Sequence, residues 1–204
     1  MLFLFGMFVV GEALVASGYL AEIGRRFFSR AKNPDQIVLF ILFGMGIGSA
    51  VLMNDTLAVI GTPLVLALAA DRKISSKLLL LALAIAITTG SVMSPIGNPQ
   101  NLLVAVNSGM ASPFVTFAVY LAIPTLLGLA AAYAILRWFY REEFAAREHA
   151  SLPALPGDER LTLLVKISLA IILLLAAANV IASLAFGSML VTLPLIAIGA
   201  ALPI

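Results

Sequence analysis

The apolar segment 78–106 contains the sequence TTGSVMSPIGNPQN at residues 88–101. As one helix, its 29 residues would extend about 44 Å, well beyond the roughly 30 Å core of a bilayer. Pro95 and Pro99 each remove a backbone donor and clash with the preceding turn, so we expect the helix to unwind between about residues 91 and 98. Non-helical backbone at membrane depth survives only where protein or a wet cavity surrounds it. The break is therefore a candidate site.

A second half-helix is predicted directly after the break. Asn98 is a favoured N-cap residue, and Pro99 suits the first helical position because that position needs no backbone donor. The same Asn-Pro or Ser-Pro pattern predicts helices that begin near residues 34 and 113.

A second polar interruption, Asn-Asp-Thr at residues 54–56, lies between apolar stretches at 37–53 and 57–70. These stretches contain 17 and 14 residues, fewer than the approximately 20 that a spanning helix needs. The pattern favours a re-entrant hairpin over residues 34–71 with a polar tip. Two short spans joined by a polar turn remain an alternative, in which the asparagine and aspartate only cap the second helix.

Composition excludes a water-soluble fold. Hydrophobic residues make up 62% of the 204 positions and charged residues only 11%, with a mean hydropathy of +1.12, so much of the surface must face lipid. We expect an all-α integral membrane protein, a polytopic helix bundle with one re-entrant hairpin and one broken helix. The predicted segments are a span at 2–20, an interfacial helix at 22–32, the hairpin at 34–71, the broken helix at 75–108, a span at 113–139, a cytoplasmic linker at 141–160, a span at 161–186 and a short final run at 189–204.

The final run is expected to be an incomplete span, since its 16 residues reach only about 24 Å as a helix. Residues 1–140 would then form one repeat, and residues 161–204 would start a second half. Asn179, in the middle of the span before this run, is expected to have a structural role.

The basic residues predict the orientation. All 12 lysines and arginines fall in or beside the loops at 25–32, 72–77 and 137–166, whereas the turns near 108–112 and 187–188 are uncharged. The positive-inside rule places the basic loops in the cytoplasm and the N-terminus outside. We expect a multi-pass protein of the cell inner (plasma) membrane.

The sequence lacks several residue types and motifs on which enzymes commonly depend. There is no cysteine and a single histidine, His149, which falls in the predicted linker. Neither a Gly-x-Ser-x-Gly elbow nor a His-Glu-x-x-His motif occurs. We expect no enzymatic activity, no resident metal and no cofactor, and the net charge of +2 gives no indication of nucleic-acid binding.

Two breaks close in sequence predict a transport site. The N-terminus of a half-helix presents unpaired donors and a partial positive charge that favour an anion. The C-termini and unwound carbonyls favour a cation. Such termini converge where a re-entrant hairpin faces a broken helix, as in secondary transporters.

The motifs themselves resemble a known family. Ser49, the tip sequence Met-Asn-Asp-Thr at 53–56, Thr62-Pro63 and the Ser-Pro-Ile-Gly-Asn-Pro-Gln-Asn of residues 94–101 resemble the first half of the ion transporter superfamily. The similarity is closest to the branch of arsenite permeases and citrate transporters, and it covers about residues 1–140. The resemblance implies two inverted repeats around one site, of which this chain has the breaks of only one.

The resemblance also implies site residues. It assigns a coupling-ion site to Ser49, Asn54 and Gly97. Met53 stands where the family usually has serine, which removes one hydroxyl ligand from a sodium site. The implied substrate neighbourhood consists of Asn54, Asp55, Thr56, Asn98 and Asn101.

Proton coupling is the alternative to sodium. Asp55 and Glu12 are the only carboxylates deep in apolar segments, where an ionisable side chain usually marks a pathway or a buried partner. For Glu12, a structural hydrogen bond is an equally open interpretation.

The leading functional hypothesis is a secondary active transporter for a small anion or oxyanion, arsenite-like or carboxylate-like, coupled to H⁺ or Na⁺. The alternatives are a truncated or accessory membrane protein without transport of its own, and a sodium/proton antiporter. The expected partners are the lipid bilayer, the solute, and a second repeat or another chain.

Overall fold

A computed structural model describes residues 2–19, 22, 31, 33–145, 159–186 and 190–204. Every element within these ranges is a helix, and no strand occurs in them. This confirms the predicted fold class, an all-α membrane protein. The predicted interfacial helix at 22–32 and the linker around His149 lie almost wholly outside the described residues.

The helices follow one another with short connections. Helix α2 is continuous, although its segment Phe40–Met45 is π-helical. By length and composition alone, α2, α6 and the Glu159–Ala182 part of α8 are long and apolar enough to cross a membrane. The described helices are α1 (Leu2–Ala16), α2 (Pro34–Leu52), α3 (Asn54–Arg72), α4 (Ser76–Ser91), α5 (Pro99–Asn107), α6 (Pro113–Phe139), α7 (Arg141–Ala145), α8 (Glu159–Phe186) and α9 (Leu193–Ala201).

Helices α2 and α3 form a hairpin with Met53 as the only residue between them. Each leg contains 19 residues, close to the predicted bounds of 34–71, and by length and composition the first leg could cross a membrane. The legs are longer than the apolar stretches because polar residues at the open end, Asp35 and Arg72 among them, continue the helices. Asn33 caps the first leg: its Oδ1 accepts a hydrogen bond from the Gln36 N–H at 2.9 Å.

The depth of the hairpin follows from its neighbour α6. The open end of the hairpin is tied to the C-terminal end of α6 by a salt bridge between Asp35 and Arg137. Helix α6 has 27 residues, eight more than a hairpin leg of 19, and is therefore about 12 Å longer at 1.5 Å per residue. Because the two elements share one end, we expect the tip to lie short of the far end of α6; the re-entrant hairpin stays a prediction.

Two apolar clusters hold the bundle together. The first fills the open end of the hairpin and joins α2, α3 and α4 to the C-terminal half of α6; Ile41, Leu68 and Leu78 are among its fully buried residues. The second joins α1, α5, α6, α8 and α9, and it also takes in Met53 from the hairpin tip and Ile96 from the helix break. The tip and the break therefore lie where the two clusters meet.

Close packing of α2 against α4 depends on one glycine. A Cβ atom on Gly90 would lie 2.0 Å from the carbonyl oxygen of Gly46. No side chain fits there without moving one of the two backbones, so glycine permits the broken helix to run directly against the first leg of the hairpin.

Asn179 has the structural role that the sequence predicts. Its Nδ2 donates to the Val191 carbonyl at 2.7 Å, and its Oδ1 accepts from the Leu190 and Val191 N–H groups at 3.0 and 2.9 Å. The amide thus satisfies backbone groups of the segment leading into α9, which would otherwise be unpaired within an apolar layer.

Candidate functional site

The tip of the hairpin is a single strained residue. Met53 has φ 63° and ψ 139°, a region of backbone space that residues with a side chain rarely occupy. Its side chain is only 1% exposed and packs in the second apolar cluster. Burial of this side chain stabilises the sharp reversal that brings the start of α3 against the helix break.

A backbone hydrogen bond joins the tip to the break. The N–H of Asn54 donates to the carbonyl oxygen of Gly97 at 2.9 Å. The first N–H groups of a helix have no partner inside it, so this bond satisfies one orphan donor of α3 with a carbonyl of the unwound segment. The structure thus brings together two of the predicted site residues from separate parts of the chain.

The side chain of Asn54 carries a buried acceptor at the tip. Its Oδ1 is fully buried and, within the described part of the chain, has no hydrogen-bond partner. Leaving a buried acceptor unpaired costs about 1–3 kcal/mol. Such an atom in a native fold calls for an explanation, such as an ordered water, an ion or a ligand.

The predicted break is present between Ser91 and Pro99. A Cβ on Gly97 would lie 2.2 Å from the Ser91 carbonyl oxygen, so the unwound segment folds back tightly on the end of α4. Glycine is required at this position by that contact.

Two asparagines hold the break in shape. Asn98 is the N-cap of α5, as the sequence predicts: its Oδ1 accepts from the Asn101 N–H at 2.8 Å, and its Nδ2 donates to the Ser91 hydroxyl at 3.1 Å. The Nδ2 of Asn101 donates to three carbonyls, those of Ser91, Val92 and Ser94, at 3.1, 3.1 and 2.9 Å. These bonds satisfy the end of α4, and the role of both amides toward a substrate stays a prediction.

Ser49 lies at the end of the first leg, one helical turn before the tip. It is completely buried, and its hydroxyl donates to the Gly46 carbonyl at 2.7 Å. The proton of the hydroxyl is used within the helix, while its oxygen retains lone pairs that can bind a cation.

The predicted carboxylates are both exposed. Asp55 and Glu12 lie on the outer surface of the described bundle, and Thr56 is 8% exposed. The Thr56 hydroxyl lies beside Gly11, where a Cβ atom would approach it to 2.6 Å. Helix α1 therefore packs on the start of α3, and Glu12 is next in sequence to that contact.

Ser91 and Ser94, which the sequence pattern does not assign to the site, both hold the break. The Ser91 hydroxyl accepts from Asn98 and donates to the Thr88 carbonyl at 3.0 Å, and the Ser94 hydroxyl accepts from the Ile96 N–H at 3.3 Å. A usable signal was the position of each serine within a few residues of a proline break, where side-chain oxygens replace missing backbone partners.

Four helix termini meet around the Asn54–Gly97 contact. Helices α2 and α4 end there, and helices α3 and α5 begin there. The two N-termini each present roughly half a positive charge, and the two C-termini the opposite. Among the described residues no group of three acidic or histidine side chains could hold a metal ion.

This arrangement agrees with the sequence comparison. The citrate transporter family matches residues 1–202. The chain belongs to the citrate transporter family. This confirms the resemblance to the ion transporter superfamily that the tip and break motifs indicate.

Individual relatives support the same assignment. Silicon efflux transporter LSI3 of Oryza sativa subsp. japonica is 35% identical over 140 residues, which is 69% of this chain and 28% of that protein. Inner membrane protein YbiR of Escherichia coli is 30% identical over 106 residues, 52% of this chain and 28% of that protein. Putative transporter arsB of Dictyostelium discoideum is 25% identical over 114 residues, 56% of this chain and 20% of that protein.

The matched part of this chain thus corresponds to between 20% and 28% of the length of these curated relatives. No solved structure matches the chain significantly.

Proposed function

We propose that the chain forms half of the site of a secondary active transporter for a small anion or oxyanion, with the solute held between the hairpin tip and the ends of the broken helix. The observation behind this proposal is the hydrogen bond from the Asn54 N–H to the Gly97 carbonyl, because it brings four oppositely polarised helix termini to one place. Membership of a transporter family supports the same activity.

The substrate side of the proposal uses the N-termini of α3 and α5. An anion at these ends is stabilised by first-turn N–H groups and by the helix dipoles. Asp55 and Thr56 lie in the first turn of α3, and Asn98 and Asn101 fix the first turn of α5. We propose that the two amides act on the substrate mainly by holding α5 in place.

The proposed coupling-ion site consists of oxygen atoms near the C-termini of α2 and α4. Sodium is a hard cation, and it prefers carbonyl, amide and hydroxyl oxygens. The candidates are the unpartnered Oδ1 of Asn54, the buried Ser49 hydroxyl and the Gly97 carbonyl. Proton coupling through Asp55 and Glu12 is the other option, since a carboxylate can bind and release a proton.

The exposed carboxylates also support a further partner. A charged side chain facing lipid is costly by several kcal/mol, so we propose that a second repeat, on the same polypeptide or from another chain, covers Asp55 and Glu12. We expect the 204-residue chain alone to bind solute weakly and to show no flux.

The proposed orientation places the open end of the hairpin in the cytoplasm. Lys73, Arg137 and Arg141 belong to helix ends on this side, which agrees with the positive-inside rule. The membrane is then the cell inner (plasma) membrane.

Flux in proteoliposomes tests the proposal. The chain is reconstituted in two forms, one alone and one joined to a second repeat. The solutes are citrate, arsenite and silicic acid, and a Na⁺ or pH gradient is imposed. We expect gradient-dependent flux of at least one solute only with the second repeat, and its loss in the Asn54→Ala variant but not in the Gly199→Ala control. Exchange of Na⁺ for H⁺ without solute would replace this proposal by an antiporter. No flux of any kind would contradict both.

A further inference from the structure

A group of polar side chains ties the open end of the hairpin to α6, far from the proposed site. Oδ1 of Asp35 accepts hydrogen bonds from the Tyr133 hydroxyl at 2.6 Å and from Nη1 of Arg137. The same Arg137 nitrogen also donates to the Tyr133 hydroxyl at 2.8 Å. Asp35, Tyr133 and Arg137 therefore form one hydrogen-bonded group. Tyr133 and Arg137 lie on successive turns of α6.

The short helix α7 makes the second attachment. Oε2 of Glu143 accepts from the N–H of Ser75, at the start of α4, at 3.0 Å. The ring of Phe144 packs edge-on against Tyr133 with centroids 6.3 Å apart, which fixes the corner between α6 and α7. One corner thus holds both the hairpin and the broken helix.

We propose that Asp35, Tyr133, Arg137 and Glu143, together called the base clamp, set the position of the hairpin tip against the helix break. They are positioning residues, and none of them contacts the site. They act by fixing the ends of the hairpin and of the broken helix that lie farthest from the site. Their consequence for transport rests on the proposed function, whereas their effect on the geometry of the tip does not.

The length of the hairpin explains why a distant clamp affects the tip. Each leg has 19 residues. At 1.5 Å per residue the tip is about 28 Å from the clamp, and a tilt of about 5° there moves the tip by about 2.5 Å. A displacement of that size breaks the Asn54–Gly97 hydrogen bond, which is 2.9 Å long and is lost beyond about 3.5 Å.

Apolar packing does not fix this angle by itself. Ala132 and Leu136 of α6 pack against the hairpin in the first apolar cluster, but lipid tails are as apolar as these side chains, and apolar contacts have little directionality. Hydrogen bonds to Asp35 and Ser75 are directional, so they set the register of the two elements against α6.

A pair of spin labels measures the distance between tip and break directly. The chain has no cysteine, so Ile47→Cys and Val92→Cys give a specifically labelled protein. Ile47 is on the hairpin leg near the tip and Val92 is at the break, with exposed fractions of 50% and 38%. Because the neighbouring residues Gly46 and Gly90 are in contact, the two labels are close together, and the distance distribution is measured in lipid nanodiscs from the dipolar broadening of continuous-wave electron paramagnetic resonance spectra.

We expect Arg137→Gln to shift the main distance by about 2 Å or to broaden the distribution to a similar extent. The reversed pair Asp35→Arg/Arg137→Asp should restore it. The matched control is Arg141→Gln: Arg141 is an exposed arginine at the same corner, and the described part of the chain shows no hydrogen bond or ion pair from it to the hairpin. This control should leave the distribution unchanged.

An unchanged distribution in Arg137→Gln, with an intact thermal transition, overturns the base clamp. If Arg137→Gln does not fold, Tyr133→Phe replaces it, since that variant removes only the hydroxyl; it should broaden the distribution, and no effect would overturn the proposal. If Arg137→Gln shifts the distance but the complete transporter shows no flux, the base clamp is supported and the proposed function is contradicted. The two failures are therefore distinguishable.

Discussion

Asn54 and Gly97 are joined by a backbone hydrogen bond of 2.9 Å, and each is the point at which a membrane helix has been interrupted. Asn54 begins the second leg of the hairpin, and Gly97 is the last unwound residue before the N-cap of α5. The bond satisfies two backbone groups that a bilayer cannot satisfy. It is also the contact on which the proposed site depends.

The first prediction concerns the glycine of this pair. Gly97→Ala places a Cβ atom 2.2 Å from the Ser91 carbonyl, so the break must move and the bond to Asn54 should be lost. We expect a destabilisation of about 2–4 kcal/mol, measured as a fall in the thermal unfolding midpoint in detergent. Gly199→Ala is the control, because its nearest neighbour would be 3.9 Å away. Equal midpoints for the two variants would contradict the tight packing of the break.

The second prediction concerns the amide that holds the break together. Asn101→Leu leaves the carbonyls of Ser91, Val92 and Ser94 without their shared donor, which should cost about 1–3 kcal/mol. Asn107→Leu is a matched change near the end of the same helix, where the amide donates only to the exposed Leu103 carbonyl. Thermal unfolding should separate the two variants, and a larger loss at Asn107 would argue against the role of Asn101.

The third prediction separates stability from function at the tip. Asn54→Ala removes an Oδ1 that has no hydrogen-bond partner in the described part of the chain, while the N–H that reaches Gly97 remains. We expect no loss of stability, because removing the unpaired acceptor also removes its desolvation penalty, together with loss of coupled flux in the complete transporter. A destabilisation comparable to that of Asn101→Leu would show that the side chain is structural instead.

The fourth prediction tests the coupling ion. If Asp55 transfers the coupled proton, Asp55→Asn should flatten the pH dependence of flux, because the amide cannot exchange a proton. Glu12→Gln is examined in parallel, since both carboxylates are exposed at this end of the site. Flux that keeps its pH dependence in both variants but requires Na⁺ would assign coupling to sodium.

Much of this fold is encoded locally. The residues Pro95, Gly97, Asn98 and Pro99 determine where the helix breaks and where α5 begins, since proline and capping chemistry act over only a few residues. The N-cap bonds of Asn33 and Asn98 are present as expected, whereas Ser112 makes no side-chain cap bond.

The remaining features depend on tertiary contacts that no local pattern reveals. Asp35 lies in the first turn of the first hairpin leg, and its salt bridge to Arg137 of a distant segment has no signal in the local sequence. The positive φ of Met53 and the use of the Asn101 amide on three carbonyls likewise follow from the meeting of tip and break. The sequence predicts which residues come together, but not which of their atoms form hydrogen bonds within the fold.

Amide hydrogen exchange at Asn54 tests the central claim most directly. The first N–H groups of a helix normally exchange fast, because they have no partner within the helix. We predict that the Asn54 N–H exchanges slowly in lipid nanodiscs, because it is bonded to the Gly97 carbonyl, and that Gly97→Ala removes this protection while Gly199→Ala does not. An Asn54 N–H that exchanges in the native chain as fast as an exposed amide would contradict the account that tip and break form one site.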